Sequence, residues 1–230
     1  MKDLLGQIQI RVNENIYLKD PETSDLGRRI IEESIRMIDE LGLEHFTFRK
    51  LAERLQTTES SVYRYFENKH KLLIYLISWY WGWQEYRLVF NTANVTDPVE
   101  QLRKAVRVLS EPVRNDDFFP HINTEILSNI VILESSKAYL TKEVDTEKSM
   151  GFFSGYDRLC QRISEMVLKV NPEYRNPHTL VSTIIEGIQR QKFFVVHMPS
   201  FTDIIKDGEE LTQFFTRMAI VMTKTNPQND

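Results

Sequence analysis

The residues whose types and spacing could do chemistry crowd into one stretch, Thr47 to Lys69. Thr47 can cap a helix whose apolar positions Phe48, Leu51, Ala52 and Leu55 fall on one face. Gln56-Thr57-Thr58 is a short polar turn, and Thr58 can cap the segment after it. That segment has only Val62 and Phe66 as clear inward anchors, four apart, and is otherwise Glu59, Ser60, Ser61, Tyr63, Arg64 and Tyr65. A short helix with a thin buried stripe and a face of hydroxyls suits insertion into a groove of DNA. Small polar side chains permit close approach, and hydroxyls bond phosphate oxygens or base edges. Asn68 then caps another helix and sets Lys69 at its N-terminus, where backbone N–H groups also attract a phosphate.

The local charge agrees. Between Thr47 and Leu73 stand six Lys or Arg (Arg49, Lys50, Arg54, Arg64, Lys69, Lys71) and three acids (Glu53, Glu59, Glu67), a balance of +3. The whole chain carries -4, so the remainder is at -7. A mildly basic module on an acidic body suits a DNA-binding head, because phosphate neutralisation supplies much of the affinity.

Other chemistries find no support. Cys160 is the single cysteine, so neither an intramolecular disulfide nor a thiol-rich metal site can be built, and it reads as a small buried hydrophobe. Gly151-Phe152-Phe153-Ser154-Gly155 has its serine out of place for a nucleophile elbow. His121 and His197 are unclustered, so no metal, cofactor or enzymatic activity is expected. The N-terminus lacks a signal-peptide core, and the richest apolar run, Leu72 to Trp83, is too short for a membrane span. A cytoplasmic protein with no membrane partner is expected.

The elements that must position the stretch are helical. Residues 1–23 form a lead-in arm in which Ile8, Ile10, Val12, Ile16 and Leu18 alternate with polar residues, a weak strand or hairpin pattern. Its Lys2, Arg11 and Lys19 are cancelled by Asp3, Glu14 and Asp20, which favours packing over a reach into a minor groove. From Ser24, Ile31, Ile35 and Ile38 repeat with a helical period, Leu26, Ile30, Met37 and Leu41 widen the stripe, and Gly42 sits where a C-cap glycine belongs. Helices are expected near 48–55, 59–66, 69–91, from Asp97-Pro98, and near 121–139, 146–170, 178–197 and 207–224. With 41% hydrophobic residues there is apolar material for a core, and the expected fold is all-α.

The pattern T-[apolar]-R-x-[apolar]-A, a turn, then T-x-S-S-[apolar]-Y-x-Y-F-x-N-K resembles the N-terminal domain of the TetR family of transcription regulators. It covers roughly residues 25–75, with Ala52, Val62, Tyr63, Phe66 and Lys69 at the family's spacing. The resemblance implies three parts: the arm 1–23, a three-helix helix-turn-helix domain 24–75, and a larger helical ligand-binding and dimerisation domain 76–226. Its expected partners are a near-palindromic double-stranded DNA operator, a second copy as homodimer, and a small apolar or aromatic effector. A repressor released by that effector is the expected function, with a TetR-like interaction module lacking DNA binding as the alternative. Thr47, Tyr63 and Lys69 match phosphate-contacting positions, although Thr47 and Asn68 also read as caps and Tyr63 as packing. Arg49, Ser60, Ser61 and Tyr65 are candidates for contacts at or near bases, and Thr58 belongs to the same surface. Gln56 stands where the family has a turn glycine, and Glu59 would repel phosphate unless it accepts from a cytosine or faces away.

Aromatic residues along and after the fourth helix are candidate effector contacts or core: Trp79, Trp83, Tyr86, Phe119, Phe153 and Tyr156. Leu180, Val181, Ile184, Ile185 and Ile188, with Leu211, Phe214, Phe215, Met218, Val221 and Met222, are expected to pair with their mates across a two-fold axis.

Overall fold

The computed structural model describes residues 9–204 and 208–225. Their regular structure is helical throughout, with no strand among the described residues. The chain divides into two compact units, residues 1–82 with 113–155, and residues 83–112 with 156–230.

In the first unit Ser24 caps α1 (Asp25–His45), accepting from the Gly27 N–H. Ile30, Ile31, Ile35 and Ile38 of α1 are buried, as their spacing requires. Gly42 takes φ 73, which ends the regular helix before one last turn. There follow α2 (Phe48–Arg54), α3 (Glu59–Tyr63) and α4 (Lys69–Thr92), whose first part, to Gly82, belongs to this unit. Phe48, Leu51, Ala52, Leu55, Val62 and Phe66 fill the core beneath them, each apolar side chain larger than alanine contributing on the order of 1.5–3 kcal/mol by burial.

The arm does not form a hairpin among the described residues; Lys2, Asp3 and Ile8 lie outside them. It makes two 3-10 turns, Glu14–Ile16 and Pro21–Thr23. Asn13 and Asp20 decide this, because each side chain accepts the backbone N–H two residues on. The arm packs on its own unit: Ile16 is buried, the Leu18 N–H donates to the Tyr65 carbonyl at 2.8 Å, and Asn13 Nδ2 donates to the Met150 carbonyl at 2.8 Å.

The second unit holds the rest of α4 and α5 (Pro98–Ser110), which Asp97 caps by accepting from the Val99 N–H. The segment after α5 returns to the first unit as α6 (Thr124–Glu134), α7 (Ser136–Tyr139) and α8 (Val144–Ser149). The single helix expected over 146–170 is broken here. Gly151 at φ 79 separates α8 from α9 (Ser154–Val170), a conformation that a residue with a Cβ adopts only under strain. α10 (Pro177–His197) and α11 (Glu209–Lys224) complete the second unit, α11 lying against α5 and α10. No described helix is long and apolar enough to cross a membrane.

Leu180, Val181, Ile184, Ile185 and Ile188 are all buried within this unit, so that stripe closes the chain's own core rather than facing outward. Leu211 and Phe215 of α11 are buried too. Phe214, Val221 and Met222 are exposed.

Candidate DNA-binding interface

The turn between α2 and α3 is built on an unusual residue. Gln56 has φ 54, the single positive φ of a non-glycine residue among those described. The Thr57 N–H reaches back to the Ala52 carbonyl at 2.9 Å, the wrapped ending that requires a left-handed residue before it. Gln56 therefore does a glycine's work here.

α3 is short and held by caps. The Thr58 hydroxyl accepts from the Ser61 N–H and lies 2.9 Å from Ser60 Oγ and 2.8 Å from Ser61 Oγ. Val62 anchors the helix with no exposure. Thr58, Glu59, Ser60, Tyr63 and Arg64 face solvent, and Ser61 is half-buried. Tyr63 keeps 46% exposure while its ring sits edge-on to Phe48, centroids 5.0 Å apart. Thr47 is exposed and caps α2 by accepting from the Lys50 N–H. Arg49 is exposed, its charge shared with Glu53 at 3.1 Å.

Two expected contacts stand differently. Tyr65 is 3% exposed and its hydroxyl is 2.8 Å from Ser24 Oγ. It lies one residue past α3's exposed face and points into the core, so it holds α1 and the arm in place instead of reaching outward. The Lys69 ammonium donates to the carbonyls of Leu43, Glu44 and Phe46 at 2.9, 3.2 and 3.4 Å, satisfying the groups left open at the end of α1.

Arg54, part of the local positive balance, is engaged by Glu33 at 2.6 Å and by both oxygens of Glu40 at 2.6 and 3.0 Å. The Arg54 hydrogen bond holds the Glu40 carboxyl below its ordinary range. Arg29 donates to the Leu55 carbonyl. These two arginines therefore brace α1 against α2 and the turn.

A set of contacts that spacing did not reveal ties the arm, α1 and α4 to residues 121–152. Glu147 of α8 is buried, with His70 Nε2 at 3.1 Å and Lys71 Nζ at 3.2 Å. Lys71 also lies 4.0 Å over the Phe152 ring. Glu134 accepts from the Leu43 N–H, and Lys137 bridges Glu134 and Glu44. Glu22 receives His121 at 2.9 Å and the Tyr75 hydroxyl at 3.4 Å. Partners some 76 residues apart, such as Lys71 and Glu147, leave no local signature in the chain.

The aromatic candidates divide between the units. Trp79 and Phe119 meet edge to face at 5.0 Å, both buried, in the first unit, where Phe153 is half-buried. In the second, buried Trp83 lies under the Arg87 guanidinium at 4.7 Å, and half-buried Tyr156 donates to Glu186 at 3.5 Å. Tyr86, also half-buried, lies beside Phe90.

Comparison with known proteins follows this geometry. Residues 30–76 match the family described as bacterial regulatory proteins, tetR family. No curated protein matches the chain in sequence. Among solved structures, AibR in complex with isovaleryl coenzyme A and operator DNA superposes with TM-score 0.57 at 16% identity, over 83% of this chain and 97% of that one. The fatty acid degradation regulator FadR from Bacillus halodurans gives 0.59 at 18%, over 85% and 93%. The ketosteroid transcriptional regulator KstR2 of Mycobacterium tuberculosis gives 0.53 at 13%, over 85% and 93%. Identities this low establish a shared fold and nothing finer. Residues 30–76 therefore match the tetR family of bacterial regulatory proteins, and the chain has an all-helical fold like that of solved regulators.

Proposed function

We propose that the protein is a sequence-specific DNA-binding transcription regulator, a cytoplasmic repressor that leaves its operator when a small molecule binds its helical body. The observation that carries this reading is the solvent face of α3. Thr58, Ser60, Tyr63 and Arg64 are exposed on a capped helix whose Val62, and the Tyr65 and Phe66 that follow, are locked in the core. A rigid, narrow, polar face enters a major groove without rearranging. Thr47, Arg49, Thr58, Ser60, Ser61 and Tyr63 are the residues proposed to touch DNA. Lys69 is proposed to act at the phosphate backbone from the N-terminus of α4, whose backbone N–H groups also attract an anion.

A homodimer is part of the reading. Exposed Phe214 and Met222 on α11 support it, since a second copy would cover apolar surface that solvent does not favour. Two heads would then read a near-palindromic site with half-sites roughly 34–36 Å apart. The isovaleryl coenzyme A bound by AibR supports a small-molecule effector for this fold. The aromatic side chains carried by each unit favour an apolar or aromatic one. Binding would act by population shift, favouring a head spacing that DNA does not match.

The test is fluorescence anisotropy with duplexes tiled across the region upstream of the protein's own gene and the neighbouring promoters, at about 150 mM salt. One duplex should bind at least a hundredfold more tightly than the rest. Equal affinity for every duplex would sink the reading. A second reading, an interaction module without DNA binding, is favoured by the exposed carboxylate of Glu59 on α3. Unchanged regulation by Tyr63→Ala would support that alternative.

A further inference from the structure

We propose that the groove between α5 and α11 binds a phosphate-bearing small molecule. The groove has a volume of about 460 Å³ and lies wholly within the second unit. That volume falls in the range of small-molecule sites, roughly 300–1,000 Å³. Arg103 and Arg107, one turn apart on α5, and Arg217 of α11 line it, with Glu209 as the one acid among the lining residues.

The arginines are available. Arg103 pairs with Glu100 at 3.1 Å and Arg107 with Glu209 at 3.5 Å, and all four side chains are about half exposed. Solvated pairs of this kind are weak, and a dianion can displace them. Arg217 makes no ion pair among the described residues. Guanidinium groups donate in forks that match phosphate oxygens, and three of them exceed what one carboxylate could use.

The floor carries a second, independent sign. Thr216 lines the groove and is 6% exposed, yet its hydroxyl has no hydrogen-bond partner. A buried hydroxyl left unpaired is unfavourable, so pairing with a ligand oxygen would offset the small shift needed to open it to the groove. The neighbouring Thr212 hydroxyl is already committed, at 2.8 Å to Ser110 and 3.0 Å to the Gly208 carbonyl. Ile220 and Val221 supply an apolar wall beside the charges, which suits a phosphate ester with an apolar substituent better than a bare ion.

A second copy of the chain fits this groove poorly. A two-fold contact brings the same patch of each copy together, and here that would gather six arginines with two acids from the two linings. The exposed apolar Phe214 lies 100° round the helix from Gln213, at the edge of the groove face.

The test is isothermal titration calorimetry with inorganic pyrophosphate as the probe, at constant ionic strength and with chloride as the control. The expected result is one site per chain with a submillimolar Kd. Arg217→Gln should weaken it at least tenfold, and Arg103→Gln with Arg217→Gln should abolish it. Thr216→Val should weaken it several-fold without lowering the midpoint of thermal unfolding. Circular dichroism confirms that the exposed arginine variants remain folded, and Arg103→Gln alone serves if Arg217→Gln does not. The proposal is overturned if wild type fails to bind pyrophosphate, or if the double variant binds it equally well. It is likewise overturned if loss of binding tracks a change in oligomeric state by sedimentation, which would make the groove an interface between copies.

Discussion

Glu147 of α8 receives His70 of α4 at 3.1 Å, and its carboxylate is 5% exposed. Lys71, the next residue along, reaches the same carboxylate at 3.2 Å. One buried acid thus joins the start of α4, directly after the α3 region, to the segment at residues 144–149. A movement of α8 would be felt at the base of α3 and α4 through this junction.

Glu147→Gln should therefore lower stability by about 1–3 kcal/mol, because it leaves the Lys71 ammonium without its carboxylate. Urea unfolding measures this. A double-mutant cycle with Lys71→Met should show coupling between the two sites. Independent, additive losses would remove the junction from the account.

Gln56→Gly should stabilise the head by roughly 0.5–1 kcal/mol. The left-handed φ of 54 strains a residue with a Cβ, and glycine adopts it freely, which outweighs its larger entropy loss on folding. The expected readout is a raised midpoint of thermal unfolding with DNA affinity unchanged. A lowered midpoint would mean that the Gln56 side chain makes a stabilising contact that outweighs the strain.

Tyr63 and Tyr65, two residues apart, should separate cleanly. Tyr65→Phe removes the hydroxyl bound to Ser24 and should cost about 1 kcal/mol of stability while leaving DNA affinity alone. Tyr63→Ala should weaken DNA binding at least tenfold. It should cost little stability, because Tyr63 is 46% exposed. Arg49→Ala should flatten the slope of log K against log salt by about one, as expected for one proposed cationic contact removed. Anisotropy titrations at several salt concentrations check both DNA effects.

Lys192 links stability to alkaline pH. Its ammonium donates to the carbonyls of Leu109 and Glu111 at 3.0 and 3.3 Å. Burial, and then the nearby Arg87 charge, push its pKa down from 10.5 to about 8. Between these values the unfolded chain binds the extra proton, so this group's contribution to stability rises as pH goes from about 8 to 10.5. Lys192→Met should remove that increment. Denaturant midpoints of both proteins across pH 7.5–10.5 give the comparison. Parallel curves would show that the buried amine does not titrate in this window.

Much of the head could be read along the chain. The period of Ile31, Ile35 and Ile38, the caps at Thr47, Thr58 and Asn68, and the anchors Val62 and Phe66 all act over a few residues. Local hydrogen bonds and a 3.6-residue repeat are properties of sequence neighbours, so they are legible there. The special role of Gln56 was legible only through the resemblance, which has a glycine at that turn position. What only the tertiary structure decided is which exposed-looking groups remain free. Tyr65 and Lys69 carry polar ends within six residues of the exposed face of α3. Yet Ser24 takes one and the carbonyls at the end of α1 take the other. The isoleucines of α10 could have faced a partner, but α5 and α11 cover their unit's core. Each outcome depends on atoms 20 to 100 residues away in sequence, and burial is settled by what the folded chain brings alongside, not by what precedes or follows along it.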